Sequence, residues 1–70
     1  MNYVVVYEKS ETGWPAYVPD LPGAVCTGRT RADVRSLIQE AIKFHLDGLK
    51  EDHLPIPQPS AAAEVISIRP

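Results

Sequence analysis

The chain has one cysteine, Cys26. No disulfide can close within it, and a single sulfur cannot build a thiolate zinc site. Small secreted domains usually offset a thin core with several disulfides, so this scarcity points to the cytoplasm. Long apolar runs are missing as well. The opening segment MNYVVVYEKS has no basic leader and only a short apolar stretch, so neither a signal peptide nor a membrane span is expected. Excess positive charge is absent: 7 Lys and Arg stand against 9 Asp and Glu, for a net charge of -2. That balance argues against nucleic-acid binding through a general basic patch. The four glycines, at 13, 23, 28 and 48, form no phosphate-cradling motif. His45 and His53 lie apart without metal-ligand spacing, so no metal or cofactor is expected.

What is present fits one small domain. In 70 residues, 44% are hydrophobic and 23% charged, a globular composition. A chain of this length buries only about 60% of the surface its unfolded form exposes, so self-association or a partner is an expected source of stability.

Asn2–Ser10 reads as a strand, and its run Tyr3-Val4-Val5-Val6-Tyr7 is apolar on both faces, the pattern of a covered central strand. Glu11-Thr12-Gly13 is a tight connection in which Gly13 can take positive φ. A second strand spans Trp14–Val18, with Pro15 at its start or at an unpaired position. Pro19-Asp20-Leu21-Pro22-Gly23 is dense turn chemistry, and Ala24–Gly28 a short third strand.

Thr30 caps a helix, with Asp33 three residues on. Val34, Leu37, Ile38, Ala41, Ile42, His45 and Leu49 recur at helical spacing. Phe44 and Leu46 widen that apolar arc to about half the circumference. One sheet needs less, so Phe44, His45 and Leu46 are the expected oligomer contacts. Glu51-Asp52-His53 frays the helix, and the prolines of Leu54–Ser60 make a stiff extended connector. Ala62–Ile68 reads as a last strand. The expected fold is α+β: β-β-β-α-β, a single sheet with one helix packed on one face. The bare second face is another sign of oligomerisation.

Catalytic patterns are weak. Cys26 reads as a small hydrophobe in a strand, since free cysteine is commonly buried. Asp20, Asp33, Asp47 and Glu64 fall on four different elements, with no spacing that pairs them for acid–base work. Arg29, Arg31 and Arg35 cluster at the helix start without interleaved aromatics, which is a solvated helix end. The residues by themselves describe a binding module, not an enzyme.

The run Gly13–Gly23, the Gly28-Arg29-Thr30 helix start, the late-helix Glu40-Ala41-Ile42 and the Ile56–Ser60 connector resemble the HicB family of antitoxins. The resemblance covers nearly the whole chain. It implies a partial RNase H-like fold, homo-oligomers, and stoichiometric binding of a small basic HicA-type toxin that cleaves mRNA. It also implies binding only: two-metal nuclease chemistry needs clustered carboxylates, and the first strand offers Glu8 only at its end. Many family members add a C-terminal operator-binding segment. Here the chain reaches Pro70 directly after the last expected strand, so a single domain over 1–70 without direct DNA binding is expected. Candidate toxin contacts are Trp14, Tyr17, Asp20 and Leu21, exposed aromatics and a rigid turn of the kind that supplies hot spots. The reading from another class is a stand-alone oligomeric module with no toxin.

Overall fold

A computed structural model describes all 70 residues. The element order is β1 (Val6–Tyr7), β2 (Ala16–Tyr17), β3 (Val25–Cys26) and α1 (Arg31–Glu51). The strands form one antiparallel sheet in the order β1-β2-β3, and α1 packs across β2 and β3. The α+β architecture with one helix on one face is therefore as expected.

Local chemistry sets the turns. Pro15 stands just before β2, where its missing N–H costs the ladder nothing and its carbonyl accepts from the Glu8 N–H at 2.9 Å. Gly13 does not adopt positive φ, unlike the expectation; it is required for close approach. A Cβ there would overlap the Gly28 carbonyl oxygen, while the neighbouring Trp14 N–H donates to that oxygen at 2.8 Å. Positive φ falls on Gly23, at 95°, in the turn between β2 and β3. Hydrogen bonds from Leu21 N–H to the Val18 carbonyl and from Ala24 N–H to the Leu21 carbonyl tighten that turn. Its curl drives Leu21 inward.

The core comprises Ala16, Val18, Leu21, Ala24, Val34 and Ile38, with Leu21 wholly buried. Tyr3, Val5, Tyr7, Trp14, Ala41, Ile42 and Leu46 pack around it. The Thr30 hydroxyl accepts from the Asp33 N–H at 3.1 Å, capping α1 as the sequence indicates.

Three expectations change. The helix does not fray: His53 adopts φ 56°, with its N–H on the Lys50 carbonyl and the Leu54 N–H on the Leu49 carbonyl. Those two bonds make a Schellman stop with histidine where glycine is usual. Secondly, the β1 segment is an edge strand, not a central one; its odd residues Tyr3, Val5 and Tyr7 are taken up by the core beneath the helix. Thirdly, Ala62–Ile68 forms no strand, because the anchored connector described below carries it past the sheet. The wide helical arc also divides: Leu46 joins the core, whereas Phe44 is 83% exposed.

Two stability measurements follow. Leu21→Ala should lower the urea-unfolding free energy by about 2–5 kcal/mol, since a leucine cavity opens in a core with little material to refill it. His53→Gly should raise it by about 0.5–1 kcal/mol, by relieving left-handed backbone on a residue with a Cβ.

Candidate interaction surfaces

Side chains directly opposite each other on antiparallel strands share a face. The register pairs Tyr7 with Ala16 and Ala16 with Cys26, so these three look toward α1. Tyr7 is met there by Arg31, whose guanidinium lies 4.8 Å from the ring centroid, and this ties the helix start to β1. Cys26 is half-buried with its thiol 3.7 Å from the Val34 carbonyl oxygen. Desolvation pushes its pKa up, the opposite of what a nucleophile needs.

The other face carries Val6, Tyr17 and Val25 in a line across all three strands. Its exposure is uneven: Val6 is half-buried, Tyr17 is 41% exposed and Val25 62%. The result is an apolar stripe with one central aromatic whose hydroxyl can still reach a polar partner.

Asp20 has a different task from the contact role expected of it. Its carboxylate accepts the Ala61 N–H at 3.0 Å, the Ser60 N–H at 3.0 Å and the Ser60 hydroxyl at 2.7 Å. The turn thus grips the chain some forty residues downstream. Tyr3 adds a second anchor, its hydroxyl donating to the Pro57 carbonyl at 2.5 Å. The four expected toxin contacts consequently do not converge. Tyr17 lies on the open face, Trp14 packs half-buried against the core, Asp20 holds the connector and Leu21 is interior. Leu21 offers no surface to a partner, because the turn that makes it rigid also turns it inward. Of the helix residues, His45 is half-buried with its imidazole near Gly23, and Leu46 packs on the core.

Val6 and Val25 were not singled out from the sequence. Their signal, an apolar position opposite a chosen aromatic, appears only once the register is known. No group of three or more His, Cys, Asp or Glu side chains gathers to hold a metal, and no helix is long and apolar enough to cross a membrane. The depressions along the outer side of α1, lined by residues such as Ser36, Gln39, Glu40 and Lys43, are polar and open.

The Ala61 N–H, then the Ser60 N–H and hydroxyl, hold the Asp20 carboxyl below its ordinary value of 3.8. A depressed pKa contributes stability that is complete above the unfolded value and is lost as pH falls through the folded one. In an acid titration followed by amide NMR, the Ser60 and Ala61 shifts should therefore move with a midpoint below the ordinary aspartate value. Asp20→Ala should abolish that transition and speed amide exchange at both positions.

A family model described as HicB_like antitoxin of bacterial toxin-antitoxin system matches residues 3–69. Antitoxin HicB 2 of Photorhabdus laumondii is 39% identical over 64 residues, which is 91% of this chain and 46% of the relative. A UPF0150 protein of Thermoplasma acidophilum is 36% identical over 62 residues, covering 87% of this chain and 90% of that one. Among solved structures, a chain of a HicA3 and HicB3 toxin-antitoxin complex superposes with TM-score 0.72 at 30% identity, over 86% of this chain and 70% of its own. The chain spans about half the length of the Photorhabdus antitoxin and of a Haemophilus phage HP1 relative.

Proposed function

The chain belongs to the HicB-like antitoxin family of bacterial toxin–antitoxin systems, and we propose that it neutralises a HicA-type mRNA-cleaving toxin by stoichiometric binding. The observation that carries this reading is the likeness to a chain of a HicA3–HicB3 complex, at an identity that extends beyond fold alone. The stand-alone module has no comparable support.

The physics is occlusion. A surface that covers the toxin's RNA-facing side excludes substrate without any chemistry by the antitoxin. The open sheet face supplies such a surface, with Tyr17 at its centre and Val6 and Val25 beside it. Aromatics flanked by apolar neighbours commonly dominate interface energetics. Trp14, half-buried against the core on the helix-facing side of the sheet, stays outside this surface. The net charge of -2 helps encounter with a basic toxin. Binding, not catalysis, is the assigned role, with no cofactor and no direct DNA contact by residues 1–70. The cytoplasm, where mRNA is translated, is the assigned compartment. Self-association belongs to the same reading, and among Phe44, His45 and Leu46 it is Phe44 that has free surface to give.

Titrating the purified chain into an RNA-cleavage assay of a HicA-type toxin from its host should abolish cleavage at one equivalent per toxin. Tyr17→Lys should weaken the complex at least tenfold, ~1.4 kcal/mol, with its helical circular dichroism unchanged. Cleavage that persists with the antitoxin in excess would overturn the reading.

A further inference from the structure

β3 ends the sheet on the side where the helix packs, and its outer edge is unguarded. The strand order is β1-β2-β3, so β3 has a strand neighbour on one side only. Its even residues turn their backbone groups inward. The Val18 N–H donates to the Ala24 carbonyl at 3.2 Å and the Trp14 N–H to the Gly28 carbonyl at 2.8 Å, with Cys26 opposite Ala16 between them. By the alternation of an antiparallel pair, Val25 and Thr27 direct their N–H and C=O groups outward. No turn, loop or capping bond takes them up, and both residues are exposed. Proteins blunt such edges with charge, proline or a bulge. Ala24–Gly28 carries neither charge nor proline.

The helix forms a seat beside that edge. A Cβ on Gly28, at the end of β3, would stand 3.6 Å from a Leu37 methyl and 3.8 Å from the Asp33 Cβ. Leu37 is 44% exposed there. Asp33, Leu37 and Glu40 recur at i, i+4 and i+7, so one flank of α1 sets an apolar side chain between two carboxylates. With Gly28, Arg29 and Ser36 they line one open hollow. Asp47 continues the acidic row seven residues on, while Lys43 and Lys50 lie round toward the outer side of the helix, at ~100° per residue.

We propose that an extended segment of the toxin adds to β3 as a fourth strand, pairing with the outward backbone groups of Val25 and Thr27. The inference rests on the antitoxin reading and deepens it by naming the mode of contact. The surroundings specify the segment. An added strand presents alternate side chains to opposite faces. One set meets Leu37 and the acidic row, which suits apolar residues interspersed with Lys or Arg. The other set extends the Val6, Tyr17 and Val25 stripe, which suits apolar residues. Asp33, Glu40 and Asp47 thus match a basic chain in charge and help to fix its register. Backbone pairing supplies affinity, and the side chains on either face supply specificity. Because the new strand continues the open sheet face, one toxin molecule engages both.

Hydrogen exchange of the 15N-labelled chain reads the pairing directly. In the free chain, Val25 and Thr27 should exchange fast while Cys26, bonded inward, is protected. One equivalent of a HicA-type toxin from the host should slow Val25 and Thr27 at least about a hundredfold. Leu37→Lys, at an exposed position, should weaken toxin binding about tenfold or more with helical circular dichroism unchanged. Glu40→Lys should slow association several-fold at low salt. A bound, inhibited toxin that leaves Val25 and Thr27 exchanging as in the free chain would overturn the strand addition and leave the antitoxin reading standing. Protection of both amides before toxin is added would give the edge to another occupant and overturn it as well. A toxin that is neither bound nor inhibited would overturn both readings together.

Discussion

A single helix covers the sheet, and it covers one face. α1 buries Val34 and Ile38 against Ala16, Val18, Ala24 and the inturned Leu21, and that is the fully buried core. Tyr17 and Val25 on the opposite face, the outer edge of β1 and the segment beyond Ala61 lie outside that cover. The surfaces assigned to partners are those this single helix fails to reach. Small domains gain stability by association when their own core is thin, and a binding protein can use the same deficit as its function.

The turn between β2 and β3 joins three of these features. Its hydrogen bonds send Leu21 into the core, its Gly23 accepts positive φ beside His45, and its Asp20 holds the connector. Fold, helix docking and direction of the tail are thus coupled through five residues. The connector's prolines make the grip effective, since a flexible segment held at Ser60 could still fold back, whereas an extended one enters the anchor along a fixed line.

Much of this was legible in the sequence because it is encoded locally. The Thr30 cap, the helix as far as Lys50, three short antiparallel strands and the Pro19–Gly23 turn each follow from residues a few positions apart. What was not legible depends on distant pairing. Whether Tyr3–Tyr7 is central or at an edge depends on whether Ala62–Ile68 joins it, and the composition of that segment favours a strand that the anchored connector does not allow. Asp20 read as an exposed turn carboxylate because no local pattern links it to Ser60. Likewise Leu21, Val6 and Val25 could not be sorted into interior and surface before the register between strands was known. The stop at His53 was missed for another reason: left-handed backbone normally announces itself by glycine, and here histidine occupies the position.

The central claim, that the uncovered sheet face meets the toxin, is tested most directly by amide chemical-shift mapping of the 15N-labelled chain on addition of a HicA-type toxin. The largest changes should fall on Val6, Tyr17 and Val25 and their strand neighbours. Changes confined to the outer side of α1, around Ser36, Gln39 and Lys43, with the sheet amides unmoved, would contradict it.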